Sequence, residues 1–233
     1  MTPTSPIRHL SPPAAFTLVA WSMLALWVFA WLAGPVLLSM AGLALNPHGH
    51  ADLYAHGHPF VDARSWWGLP NTLDVLSNLP LVLAGAAGFW TLHGRTLVRP
   101  TTNALRVFFA GLILSGLGSA TYHWAPDASS LVIDRLGMAV AFAGVLAMAV
   151  AERVGPLESR SFLPAALLAA LVSAALPQLQ GNVLPWVVVQ FGGMGLVVWF
   201  KHVAAACAAL PVLCSLRQHR LGDNPPVHPA AMG

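Results

Sequence analysis

Six long apolar runs, separated by short segments that hold most of the charged residues, constrain the fold of this chain more than any other feature. A helix needs about 20 apolar residues to cross a bilayer. Only 8% of the residues are charged, against about 25% in soluble domains. The sequence therefore predicts an all-α polytopic membrane protein. Its candidate spans are 14–34 (with a break expected at Gly34-Pro35, before an apolar extension to 45), 71–92, 104–124, 130–151, 161–178 and 183–216.

The last run is too long for one span, because its 34 residues would form a helix of roughly 50 Å. Two alternatives stay open: the run breaks near Gly192-Gly193 and Gly195, or it contains a half-span. The expected fold is accordingly a helical bundle of six transmembrane helices, or of seven if this last run forms two segments.

The arginines predict the orientation of these spans, since Lys and Arg concentrate in cytoplasmic loops. With a cytoplasmic N-terminus (residues 1–13), eight arginines fall inside and only Arg64 falls outside. Both termini are then cytoplasmic, and the tail 217–233 is expected to be disordered. Topology also accounts for the basic pI of about 9.4, so no nucleic-acid partner is expected. The arginines on the inner side are Arg8, Arg95, Arg99, Arg106, Arg153, Arg160, Arg217 and Arg220.

Polar residues flank the short turn between the third and fourth runs, in GLGSATYHWAPDASSLVIDRLGM (116–138). Ser119 and His123 are four residues apart, so they share one helix face. Asp134 lies near the start of the next helix, and His123 lies near the end of the previous one. The two residues are therefore expected at about the same depth below the outer membrane surface. An imidazole beside a carboxylate is the donor chemistry of a zinc site. The alternative is an interfacial His123, with Asp134 and Arg135 paired as charges at a helix end.

His202 favours the metal site, because it follows Lys201 inside the last apolar run. Counted from the cytoplasmic end of the run, His202 lies roughly 20 Å into the bilayer, in its outer half. His123, Asp134 and His202 would then lie at one depth on three helices, which suggests a shared polar site. Intramembrane ionisable residues are costly and are usually functional.

Three stretches together resemble the bacterial branch of the alkaline ceramidase family, which belongs to a wider superfamily of membrane hydrolases. They are GLGSATYHWAP…DRLGM, PNTLDVLSNLP (70–80) and KHVAAACAAL (201–210). The resemblance implies a helical core around a zinc ion, in a bacterial inner-membrane protein. It also implies hydrolysis of the amide of a ceramide-like N-acyl lipid. The ceramidase-like domain would cover 14–216, with 14–45 as an added N-terminal span, 46–70 as an outer His-rich loop and 71–216 as the core helices.

Carried over to this chain, the resemblance makes His123 and His202 zinc ligands. Asp134 would position or deprotonate the zinc-bound water, and Ser119 would hydrogen-bond the water or the developing oxyanion. The chain departs from the family pattern at Val198, where the family has another histidine. That departure favours one alternative, a catalytically degenerate homologue that binds lipid or a partner.

The outer loop HGHADLYAHGH (48–58) supports a third hypothesis, a metal-handling membrane protein. Paired His-x-His units capture metal ions, although a solvated glycine-rich loop with incidental histidines has the same appearance. Calcium is not expected, because the family's acidic calcium cluster is not reproduced. The oxygen donors of that kind are Asp52, Asp62, Asn71 and Asp74.

Overall fold

A computed structural model describes residues 12–43 and 64–199 of the chain. These residues are helical throughout, apart from short connections and one isolated bridge between Trp66 and Leu69. The helices are α1 (Pro12–Met40), α2 (Thr72–Leu76), α3 (Leu79–Leu92), α4 (Arg99–Trp124), α5 (Ala128–Arg153), α6 (Pro156–Gln180) and α7 (Leu184–Trp199).

Five helical segments in the described part of the chain are long and apolar enough to cross a membrane. They match the first five predicted runs, and α2 and α3 together make the second of them. Many large apolar side chains point outward, for example Leu32 (74% exposed), Trp90 (83%) and Leu168 (66%). Such a surface is unfavourable in water and suits contact with lipid. The segments are Ala14–Met40, Thr72–Leu92, Arg99–Trp124, Ala128–Arg153 and Pro156–Gln180.

The helix α7 covers the first part of the sixth predicted run. It does not break at Gly192-Gly193 or Gly195, because helical structure continues as far as Trp199. Instead, Val188–Gly192 form a π-helical segment, which takes up one extra residue without ending the helix. By its internal contacts the chain divides after Met194, and residues 200–216 of the run lie outside the described residues.

Glycines allow α4 and α5 to approach each other until their backbones touch. A Cβ atom added at Gly111 would overlap the backbone of Ala141, and one added at Gly137 would overlap the backbone of Ser115. Gly144 lies in the same way against Phe108. Small residues are the usual means by which membrane helices pack closely.

The predicted break at Gly34-Pro35 is wrong, since α1 is continuous to Met40 with Pro35 inside it. A proline removes the N–H that would bond the carbonyl four residues earlier, here that of Trp31. The fully buried Asn182 supplies the missing donor: its Nδ2 donates to the Trp31 carbonyl at 3.1 Å and to the Ala30 carbonyl at 3.0 Å. Gly34 leaves the space that the Asn182 amide occupies.

Three further contacts align α1 with α6 along their length. The ring of Phe16 meets that of Phe162 at 5.7 Å, Trp27 Nε1 donates to Ser173 Oγ at 2.7 Å, and Trp31 Nε1 donates to Gln180 at 3.2 Å. Residue numbers rise together along both helices, so α1 runs parallel to α6. The N-terminal helix is therefore an integral part of this bundle.

Asn182→Ala is expected to lower the free energy of unfolding by about 1–3 kcal/mol, because the Trp31 and Ala30 carbonyls lose the donor that Asn182 supplies. Adding Pro35→Ala should recover part of this loss, since an alanine at this position has a backbone N–H that can donate to the Trp31 carbonyl. Thermal unfolding of the four proteins in one detergent measures the coupling. Additive effects of the two substitutions would contradict this role for Asn182.

Candidate functional site

A capped hairpin between α4 and α5 determines where the polar residues of the site lie. Asp127 is the N-cap of α5: its Oδ1 accepts from the Ser130 N–H at 2.7 Å, and Ser130 Oγ accepts from the Asp127 N–H at 3.0 Å. This reciprocal arrangement satisfies two backbone donors at the helix start. The Ser130 hydroxyl also donates to the Ala125 carbonyl at 2.9 Å, which ties the cap to the end of α4.

Asp127 lies outside the membrane spans, and its charge makes the stability of the hairpin depend on pH. Hydrogen bonds from the Ser130 backbone and from the Ser129 hydroxyl hold the pKa of Asp127 below its ordinary value of 3.8. A lowered pKa in the folded state means that the charged carboxylate stabilises the fold at neutral pH. This contribution is lost as the pH falls below about 3.8, through the lower pKa of the folded state.

Asp127→Asn is expected to remove that part of the acid sensitivity, because an asparagine caps the helix without titrating. The check is the melting temperature of the two proteins between pH 5 and pH 2.5, in a detergent whose charge does not change over this range. The wild type should lose more stability than the variant over that interval. Parallel curves would rule out a role for the Asp127 charge.

The structure brings three of the predicted site residues together across this hairpin. The Ser119 hydroxyl hydrogen-bonds the Asp134 carboxylate, and His123 lies close enough to interact electrostatically with the same carboxylate. All three side chains are half-buried. Arg135 also interacts electrostatically with Asp134. The predicted shared face of Ser119 and His123 is confirmed, since both reach Asp134.

The backbones of the two helices approach closely at this cluster. A Cβ atom on Gly118 would lie 2.8 Å from the Ile133 carbonyl oxygen and 3.0 Å from Asp134 Cα. This close approach brings α4 and α5 together beside Ser119 and Asp134. Asp134 is the seventh residue of α5, so it lies about 9 Å along the helix axis from the first.

Asn71 supports the cluster through a hydrogen bond that the sequence does not indicate. Its Nδ2 donates to the His123 backbone carbonyl at 2.8 Å, although the two residues are 52 positions apart. Asn71 adopts a left-handed conformation, φ 47° and ψ 45°, which asparagine tolerates better than most residues. The pair Pro70-Asn71 marks a turn in the sequence, but nothing in the sequence identifies the carbonyl that the side chain reaches.

The polar side chains of Ser77 and Asn78, between α2 and α3, form hydrogen bonds within their own segment. Ser77 Oγ and Asn78 Nδ2 donate to the Asp74 carbonyl at 2.8 and 2.9 Å, at the interruption between the two helices. The backbone of this segment also contacts the neighbouring helix, since the Asn78 carbonyl lies against Gly116 of α4.

The other expected metal ligands fall outside the described residues. These are His202 and the loop histidines His48, His50, His56 and His58. Within residues 12–43 and 64–199, no group of three His, Cys, Asp or Glu side chains is arranged to hold a metal ion. His123 and Asp134 are two such donors that interact across the hairpin.

Comparisons with protein-family models, with curated proteins and with solved structures find no match to this chain.

Proposed function

We propose that this protein is a zinc-dependent amidohydrolase of the bacterial inner membrane that cleaves ceramide-like N-acyl lipids. The observation that carries the proposal is the cluster of Ser119, His123 and Asp134, held together between two otherwise apolar helices. In this proposal the core is a ceramidase-like bundle of six or seven spans, and both termini are cytoplasmic.

The donor chemistry of the cluster fits zinc, which binds imidazole nitrogen and carboxylate oxygen. His123 and His202 would hold the ion, with Asp134 beside it. Catalytic zinc sites commonly use three protein ligands, so Asp134 or a loop histidine would complete the set. When bound, zinc would act as a Lewis acid on the amide carbonyl and lower the pKa of water.

The residues of the chain divide the remaining chemistry between them. Asp134 takes a proton from the attacking water as the water oxygen bonds to the carbonyl carbon of the amide. The same carboxyl then gives the proton to the nitrogen as the C–N bond breaks, which yields a fatty acid and an amine. The Ser119 hydroxyl orients the carboxylate, and it can instead turn to donate to the developing oxyanion. General acid–base catalysis of this kind contributes about 10²- to 10⁴-fold in rate.

The surroundings of the cluster suit a lipid whose amide lies just below its headgroup. Trp124 follows His123 at the end of α4 and is 59% exposed. Trp66 and Trp67 stack at 4.6 Å in the turn that precedes Asn71, and Trp67 is 90% exposed. Exposed tryptophans mark the level of the headgroups. The amide of a lipid anchored there would lie at the depth of Asp134.

A second candidate is a homologue that binds a lipid or a partner without hydrolysing it. Val198 favours this alternative, because valine has no atom that can bind a metal ion where the ceramidase pattern has a histidine. Both candidates share the lipid-facing site, but only the hydrolase releases product.

The test is the release of fatty acid by the purified full-length protein from a panel of N-acyl lipids in mixed micelles. Ceramides of several chain lengths and an N-acyl ethanolamine form the panel, and an ester lipid is the control. Release from amides that stops after chelation and returns with zinc would support the proposal. Binding of the same lipids without any release would favour the second candidate.

A further inference from the structure

A basic cavity lies at the end of α4 opposite the candidate site. Its volume is about 290 Å³, and it is lined by Arg99, Pro100, Asn103, Arg160 and Leu163. The two arginines come from different helices, Arg99 from the first turn of α4 and Arg160 from the second turn of α6. The candidate hydrolytic chemistry uses none of these residues.

The two positive charges in the cavity, on Arg99 and Arg160, favour an anionic ligand. Neither Arg99 nor Arg160 forms an ion pair with any residue in the described part of the chain, and the cavity lining includes no acidic side chain. Arginine presents a planar fork of donors that matches phosphate oxygens. Asn103 adds an amide donor to the same cavity.

The apolar part of the lining points to the source of that anion. Pro100 and Leu163 complete the wall, so a ligand that carries apolar groups beside its charge fits better than a bare ion. The cavity lies where two apolar helices begin, at the boundary of the proposed bilayer. Basic pockets between transmembrane helices on the cytoplasmic side are typical sites for anionic headgroups.

We propose that Arg99 and Arg160 bind a phosphate group in this cavity, supplied by an anionic phospholipid of the adjacent leaflet or by free phosphate. Arg99 of α4 and Arg160 of α6 donate hydrogen bonds to the phosphate oxygens. When the ligand is a lipid, Pro100 and Leu163 contact its glycerol and the upper part of its acyl chain. This site is independent of the proposed hydrolase activity.

The experiment measures binding of phosphatidylglycerol and phosphatidylcholine to the full-length protein in detergent by native mass spectrometry. Equilibrium dialysis with labelled inorganic phosphate is the second arm. The test variant is Arg99→Gln/Arg160→Gln. The matched control is Arg95→Gln/Arg153→Gln, which removes the same charge from arginines that do not line the cavity. Two arginines near an anionic group together correspond to about a 30-fold change in affinity.

We expect the wild type and the control to prefer phosphatidylglycerol, and the test variant to bind it about 30-fold more weakly. Inorganic phosphate bound through Arg99 and Arg160, without a preference for phosphatidylglycerol, would identify free phosphate as the source. Equal losses in the test and control variants, or no loss in either, would overturn the proposal. If the double variant does not fold, the single variants Arg99→Gln and Arg160→Gln are expected to lose about fivefold each.

Discussion

Asp134→Asn is expected to reduce fatty-acid release from an N-acyl lipid by about 10²- to 10⁴-fold. The amide of asparagine keeps the shape of the side chain and can still bond the Ser119 hydroxyl, but it cannot take a proton from water. The loss should appear in kcat rather than in KM, because the substitution removes the proton transfer and leaves the apolar side chains around the site unchanged. Fatty-acid release over a range of lipid concentrations separates the two constants.

The matched control for this prediction is Glu152→Gln, on the same helix. It also removes one carboxylate charge, but Glu152 is exposed at the other end of α5. Its kcat should stay within about twofold of the wild-type value, as expected for a surface substitution away from the site. If Asp134→Asn hydrolyses as fast as this control, Asp134 is not the group that moves the proton.

Gly137→Ala is expected to give a large loss of stability, about 1–3 kcal/mol or more. Its new methyl group would overlap the backbone of Ser115, and a backbone cannot turn aside as a flexible side chain can. Gly118→Ala acts in the same way on Ile133 and Asp134, so it should also separate Ser119 from Asp134. We therefore expect Gly118→Ala to lower kcat as well as the melting temperature.

Gly195→Ala is the control for these substitutions. Gly195 also lies in a helix, but no described atom comes within 4 Å of a Cβ placed there. Alanine forms helices better than glycine by about 1 kcal/mol, so this variant should be neutral or slightly stabilised. Melting temperatures in one detergent compare the three variants. A similar loss in all of them would contradict the close packing of α4 on α5.

Features that depend on local sequence were predictable in this chain, and features that depend on distant partners were not. Of the six predicted apolar runs, the first five match helical segments long enough to cross a membrane, because the bilayer thickness sets the length of such runs. Pro35 predicted a break, since its sequence neighbours hold no replacement for the lost hydrogen bond. The replacement comes from Asn182, which is 151 positions away from the Trp31 carbonyl that it bonds.

The same distinction applies to the candidate site. The meeting of Ser119, His123 and Asp134 follows from two local patterns: a four-residue spacing on one helix and a short turn to the next. The bond from Asn71 to the His123 carbonyl has no such pattern, because any backbone carbonyl offers the same acceptor. The close approach at Gly118 was hidden for a similar reason, since a glycine in an apolar helix does not reveal which neighbour it contacts.

The zinc content of the purified full-length protein tests the central claim most directly. We expect about one zinc per chain in the wild type, and its loss in His123→Ala and in His202→Ala, because each removes a ligand. A variant with His48, His50, His56 and His58 all replaced by alanine should keep the metal if Asp134 is the third ligand, and should bind it more weakly if a loop histidine is. Zinc retained in both single variants and lost in the loop variant would contradict the account, as would a wild-type protein that binds no zinc.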